Sequence, residues 1–263
     1  MTSEFIGNAT PFTDRAIESA AQKLGCQVAA VRAVIDVESK GGFQSDNRPK
    51  ILFERHYFYR LTNGQYKNSH PDICNSSWGG YGRYSEQYGR LERAIGLNRN
   101  AALRSASWGA FQIMGDNHKV CGFDDVEDFV KAMVESEDRH LDAFVGFVKG
   151  NHLDDELRRL DWSGFARGYN GPAYRANKYD TKMAAAFALH NAGGPHVHNP
   201  MPVIRMGDKG EAVKELQQLL GIKDDGDFGP GTKRAVVAFQ QSKKLYADGI
   251  VGGQTWAALN ASQ

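Results

Sequence analysis

Val28-Ala-Ala-Val-Arg-Ala-Val-Ile-Asp-Val-Glu-Ser-Lys-Gly-Gly-Phe43 reads as a helix that delivers one carboxylate to a glycine-bounded end. Val28, Val31, Val34 and Ile35 recur at helical spacing and mark a buried face. Glu38 falls on the same stripe, a turn beyond Val34 and Ile35, so it points along the apolar face instead of into water. Asp36 lies off that stripe and reads as a solvated charge. Gly41 and Gly42 predict a stop near Ser39 and Lys40, with glycine supplying the C-cap conformation. A carboxyl at such a position should have a raised pKa, because desolvation disfavours its charged form. That suits a general acid working near neutral pH. The alternative is a structural glutamate paired with Arg32 or Arg55.

Upstream, Thr13 predicts the cap of a helix from Asp14 to Leu24, with Ile17, Ala20, Ala21 and Leu24 on one face and Gly25 ending it. Downstream, Pro49 restarts the chain, and Ile51-Leu-Phe53 reads as a short buried strand. Glu54 follows directly as a candidate second carboxylate, or as a salt-bridge partner of Arg48 or Arg55. Residues 62–85 read as an irregular loop whose Trp78, Tyr81 and Tyr84 could stack on sugar faces or pack on their own domain. Helices are expected over 86–98 and 100–105. They lead to Ala106-Ser-Trp-Gly-Ala-Phe-Gln-Ile-Met-Gly115, where Gln112 can donate and accept at once. Residues 125–149 predict one long amphipathic scaffold helix, and 153–166 another. Gly168-Tyr-Asn-Gly-Pro172 is expected to hold Tyr169 and Asn170 in a tight loop before a last helix over 177–191.

Three of these segments stand in a recognisable order: Glu38-Ser39 with Gly41-Gly-Phe43, then Trp108-Gly-Ala-Phe-Gln-Ile113, then Gly168-Tyr-Asn-Gly171. In that order they resemble the lysozyme-like superfamily of goose-type lysozymes and lytic transglycosylases. Residues 10–192 resemble more closely the N-acetylmuramidase domain of phage endolysins. Arg48-Pro-Lys-Ile-Leu-Phe-Glu-Arg-His56 adds to that match. Gly before Tyr169 and Ala-Phe before Gln112 depart from the superfamily pattern. The resemblance implies that Glu38 protonates a glycosidic oxygen and that Gln112, Tyr169 and Asn170 line the cleft. Trp108 is expected as a further substrate contact. Glu54 is the candidate for holding the attacking water. Without such a residue, the substrate's N-acetyl group could assist and leave an anhydro sugar.

Gly193-Gly-Pro-His-Val-His-Asn-Pro-Met-Pro202 has the composition of a linker. His196 and His198 could be a metal pair, but no third ligand follows at suitable spacing, so no metal and no cofactor is expected. Beyond it, Asp225-Gly-Asp-Phe-Gly-Pro-Gly-Thr232 recurs as Asp248-Gly-Ile-Val-Gly-Gly-Gln-Thr255. Each reads as a glycine turn ending on a threonine that caps the next helix. With Arg205-Met-Gly-Asp-Lys-Gly210, this pattern resembles the three-helix peptidoglycan-binding domain of wall hydrolases. The expected architecture is mainly α. A lysozyme-like catalytic domain covers 1–192, a linker 193–202 and the small binding domain 203–263.

Composition bounds the partners. A net charge of +1 implies no strong attraction to nucleic acid or anionic membrane. The longest apolar run near the first domain's end, Met183 to Leu189, is too short to span a bilayer, so no membrane insertion is expected. Cys26, Cys74 and Cys121 are odd in number and widely spaced, which fits synthesis in a reducing cytosol. The opening residues carry no signal-peptide pattern. The expectation is a monomeric glycosidase acting on bacterial peptidoglycan, made in a bacterial cytoplasm and released to the wall after membrane permeabilisation. The rivals are a lytic transglycosylase, a zinc peptidase or amidase, and a wall-binding protein without activity.

Overall fold

The computed structural model describes residues 3–192, 204–243, 245 and 247–260. The linker expected at 193–202, with His196 and His198, lies outside the described residues. The chain forms two compact units, one ending at His190 and the other beginning at Asn191.

The first unit opens with α1 (Asp14–Leu24). Thr13 caps it by accepting from Ala16 N at 3.2 Å, and Gly25 closes it at φ +67°. α2 (Val28–Glu38) packs on α1 through Ala29, Ala30, Val31, Ala33 and Val34. Its end differs from the expectation. Ser39 is the cap residue and is extended, with its N–H bonded to Ile35 O at 2.9 Å, and the left-handed conformation falls two residues later at Gly41, φ +82°. The chain leaves the helix straight and then turns.

A three-stranded antiparallel sheet follows: β1 (Ile51–Phe53), β2 (Ala106–Trp108) and β3 (Ile113–Met114), in spatial order 1-2-3. Ile51 pairs with Trp108, and Ser107 with Met114. Between β1 and β2 lie α3 (Arg55–Leu61), α4 (Gln87–Leu97) and α5 (Arg99–Arg104). Gln87 is 1% exposed and ties the irregular loop to the sheet. Its amide oxygen accepts from Phe53 N at 2.9 Å, and its amide nitrogen donates to the carbonyls of Tyr81 and Arg83.

The expected helix over 125–149 is two helices, α6 (Val126–Glu135) and α7 (Glu137–Gly150). Ser136 breaks them at φ −168°, ψ 164°, and its side chain accepts from Arg139 N. A serine that caps one helix cannot continue the one before it. The helix expected over 153–166 is also two. α8 (Asp154–Arg159) closes on a left-handed Leu160, and α9 (Trp162–Asn170) runs four residues past the expected end. Tyr169 and Asn170 therefore sit in the last helical turn, not in a loop. α10 (Tyr179–Asn191) completes the unit. Phe53, Phe58, Phe129, Phe144 and Phe165 are fully buried in one core, each contributing roughly 2–3 kcal/mol by area removed from water.

The second unit has α11 (Glu211–Leu219), α12 (Pro230–Ser242) and α13 (Gly253–Asn260) around Val213, Leu216, Phe228, Val236, Trp256 and Leu259. Neither repeated threonine is a helix cap. Gly229 caps α12, and Thr232 lies buried inside its first turn, bonded to Gln217. Thr255 bonds Gln240 in the same way. The fold is mainly α.

Candidate active site

Glu38 is the last residue of α2 and is half-buried. Asn170 Nδ2 donates to Glu38 Oε1 at 2.8 Å, so two residues far apart in the chain meet at one carboxylate. Burial pushes the Glu38 carboxyl above the usual carboxylate range, while the Asn170 bond and the positive charge of Lys182 pull the other way. Burial wins, so Glu38 holds its proton more tightly than a solvated glutamate does. Neither Arg32, which pairs with Asp14, nor Arg55 is its partner. Asp36, expected to be merely solvated, lies 2.7 Å from His190 Nε2.

Asn170 is held by its neighbour. The Tyr169 hydroxyl donates to Phe111 O at 3.1 Å, and its ring packs among Phe144, Phe147 and Phe165 with centroids 5.6–5.7 Å away. Burial holds that hydroxyl protonated far above its ordinary range, helped by the nearby Glu38 charge. Tyr169 thus anchors the end of α9. Gly171, at φ +79°, ends the helix directly after Asn170.

The turn after Glu38 is fastened to the start of α7. The buried Glu137 carboxylate accepts from Gly42 N and from Phe12 N, the latter at 3.2 Å. One turn on, His140 stacks on Phe43 at 5.0 Å, its Nδ1 accepts from Ala110 N at 3.2 Å, and its Nε2 donates to Met133 O at 2.7 Å. Burial pushes His140 down to about 4, so it is neutral and keeps Nδ1 as an acceptor. A methyl on Gly42 would overlap the His140 ring, and one on Gly109 would meet it at 2.9 Å. One imidazole therefore fixes both the turn after Glu38 and the turn that carries Gln112.

Gln112 sits exposed in that second turn at φ +48°. Its oxygen accepts from Ser107 Oγ at 3.0 Å, and its nitrogen donates to Gly109 O at 2.8 Å and to Lys50 O at 3.2 Å. Lys50 in turn bonds Lys40 O, two residues from Glu38. Trp108 corrects the expectation. It is 1% exposed, donates to Leu103 O at 3.1 Å and packs on Phe5, so it is core and no substrate contact.

Glu54 stands at the opposite end of β1 from Lys50, at the start of α3. Its partners are neither Arg48, which pairs with Asp46, nor Arg55. Oε2 lies 3.1 Å from His56 Nδ1 and, among the described residues, is buried without a hydrogen-bond partner. Burial raises the Glu54 pKa, and burial together with Glu54 pushes Tyr81 up to about 12. Trp78 and Tyr84 are exposed on the same loop at 76% and 53%, so an aromatic face is open to solvent there. Two groups that act on Glu38 escaped the sequence reading, Tyr179 and Lys182 on α10: the Lys182 charge lowers the Glu38 pKa, and the Glu38 charge raises that of Tyr179. Among the described residues no group of three or more His, Cys, Asp or Glu could hold a metal ion. The three cysteines are free.

The arrangement has counterparts in known proteins. Residues 27–191 match the N-acetylmuramidase family, and residues 209–259 match the putative peptidoglycan binding domain. Among solved structures, Burkholderia AP3 phage endolysin is 43% identical, with a TM-score of 0.67 over 70% of this chain and 73% of that one. An uncharacterized protein of Kitasatospora aureofaciens, from the bpoA1 3' region, is 44% identical over 98 residues, 30% of this chain and 83% of that one. The zinc D-Ala-D-Ala carboxypeptidase of Streptomyces albus G is 45% identical over 58 residues, 19% of this chain but only 23% of the carboxypeptidase.

Proposed function

The chain belongs to the N-acetylmuramidase family, and from that premise we propose that it cleaves the β-1,4 bond between N-acetylmuramic acid and N-acetylglucosamine with Glu38 as general acid. The protein is a peptidoglycan hydrolase of the endolysin type, a glycoside hydrolase carrying a C-terminal peptidoglycan-binding domain. The observation that carries the role of Glu38 is its half-buried carboxyl with, among the described residues, one hydrogen-bond donor, Asn170, on Oε1. Oε2 is then the oxygen that carries the proton to the glycosidic oxygen. As the proton leaves, negative charge grows on the carboxylate. The Asn170 amide and the Lys182 charge interact with that form more strongly than with the acid, so they lower the barrier.

The second half of the reaction takes a water molecule to the sugar carbon. Glu54 is the candidate to orient it. Its contact with His56 and its place at the far end of β1 favour a second reading, in which the substrate's N-acetyl group assists and the sugar's own C6 hydroxyl, in place of water, then closes on C1 to give an anhydro sugar. Mass spectrometry of fragments from purified peptidoglycan separates the two. Reducible N-acetylmuramic acid ends mean hydrolysis, and anhydro ends mean the transglycosylase route. Glu38→Gln is expected to abolish fragment release while wall binding persists, and full activity in that variant would remove Glu38 from the role. In the cell, the enzyme works as a monomer that collects in the bacterial cytoplasm and reaches the wall after membrane permeabilisation. Lysis on expression without any permeabilising protein would refute that route, and sedimentation of the purified chain tests the monomer.

A further inference from the structure

A depression of about 520 Å³ lies between the irregular loop and α4, on the first unit. Arg55, Arg90 and Arg93 line it, with Asp72 and Glu86. The two carboxylates are engaged locally. Asp72 pairs with Arg93, and Glu86 accepts from Arg83 N at 3.0 Å. Arg90 is only 6% exposed, yet its guanidinium is met by neutral carbonyl oxygens, those of Gly80 at 2.7 Å and of Asp72. Its Nε has no hydrogen-bond partner. Arg55 gives its Nε to Ser77 O at 3.2 Å and lays the rest of its guanidinium over Gly80, where a methyl would overlap it. Among the described residues neither Arg55 nor Arg90 has a carboxylate at ion-pair distance.

The buried Arg90 is attracted by Asp72 and Glu86 and repelled by Arg55 and Arg93, so three guanidiniums face the hollow against two carboxylates and one positive charge is left over. An anion in the hollow would balance that charge and meet the open Arg90 Nε, and Arg offers a planar fork suited to a carboxylate. We propose that this arginine-lined hollow binds a free carboxylate of the peptide stem carried by the muramic sugar of the substrate. The proposal rests on the reading of this unit as a peptidoglycan glycosidase. A stem of about four residues extends roughly 13 Å, about the length of the extended chain from Lys50, whose ammonium bonds the turn after Glu38, to Glu54 next to Arg55. Gly80 serves the site directly, since a side chain there would overlap the Arg55 guanidinium while its carbonyl holds Arg90.

The test compares the full-length wild type with Arg55→Glu and Arg55→Lys on two substrates. Both are peptidoglycan freed of phosphate polymers, one with its stems intact and one stripped of them by an amidase, so the anion being read is a carboxylate. The expected result is that the ratio of kcat/KM on stem-bearing to stem-free glycan falls about tenfold in Arg55→Glu, through KM, and is largely restored in Arg55→Lys. Arg90 is left intact because it holds the loop. A ratio that stays at the wild-type value in Arg55→Glu, with melting unchanged, overturns the proposal. So does an equal loss on both substrates. Release of reducing ends from the stem-free glycan by the wild type checks the glycosidase reading itself, so failure there shows in a different measurement.

Discussion

Asn170 matters because of when its bond strengthens. Its amide favours the charged form of Glu38, which exists only after the proton has gone to the leaving oxygen. Asn170→Ala should therefore do two things at once. The pKa of Glu38, already raised by burial, should rise further, because a group that lowered it is gone. An acid works only while protonated, so the alkaline limb of the pH–rate profile should move to higher pH. At the same time kcat should fall by roughly tenfold or more, since a bond to a charged group contributes about 1.5–3 kcal/mol. A profile that moves to lower pH, or a wild-type kcat, would separate Asn170 from the chemistry. His140 supports a different prediction. Its folded pKa is about 4, against an ordinary value of 6.5, so the unfolded chain takes up a proton over this range and the folded chain does not. Stability should fall as pH drops from about 6.5 to about 4, by about 3 kcal/mol in total from this residue. Denaturant titrations across that range should show a shallower loss in His140→Gln; equal slopes would contradict a neutral buried imidazole.

At the scale of elements, the break between α6 and α7 is what connects the scaffold to the site. It puts Glu137 and His140 in the first turn of a new helix, against the turn after Glu38. In Glu137→Gln one acceptor becomes a donor that faces a backbone N–H, so either Phe12 N or Gly42 N loses its partner. An unsatisfied buried donor costs about 1–3 kcal/mol. Activity should fall more than stability does, because the loosened turn is the one that aims Glu38. Parallel measurement of melting and of reducing-end release at a temperature well below melting would show it, and a loss of activity explained wholly by unfolding would refute it. The sequence carried part of this. Spacing was enough for α1, α2 and the stripe on which Glu38 lies, because burial of one helix face leaves a period in the chain. Glu137 and His140 escaped that reading, although they fall on the stripe of Leu141, Phe144 and Val148, and Ser136 before two acidic residues is a helix-start signal. An apolar period that runs through a break conceals it. Trp108 was not legible as core, since all three residues of β2 are buried and a sheet covered on both faces shows no alternation. The meeting of Asn170 with Glu38 was legible only by resemblance, because spacing says nothing of contacts across the fold.

For the whole molecule, the division of labour between the two units can be tested through one internal duplication. In the second unit Gln217 accepts from Gly226 N at 2.8 Å and donates to Asp225, the Asp227 carbonyl and Thr232. Gln240 repeats the pattern with Gly249, Asp248, the Ile250 carbonyl and Thr255. Each buried amide thus replaces a missing ladder, stitching a glycine turn to the helix that follows it. The repeated Asp-Gly and Thr residues are legible in the chain, while the glutamines that join them are not, since their partners lie eight or more positions away. Gln217→Leu fills the space but strands Gly226 N, at about 1–3 kcal/mol, and takes from Thr232 one of its partners, leaving its hydroxyl only the Asp227 carbonyl among the described residues. A domain this small has little stability in reserve, so that loss should unfold it. The first unit has its own core and its own site, so cleavage of short soluble glycan should stay within about twofold of wild type, while cleavage of intact walls should fall by about tenfold or more as effective concentration is lost. Co-sedimentation with purified walls, alongside reducing-end release from both substrates, reads the two effects separately. Equal loss on both substrates would mean that the small domain takes part in catalysis. Unchanged wall cleavage with that domain unfolded would mean that the first unit holds the wall by itself, and the arginine-lined hollow would then be the place to look for its grip.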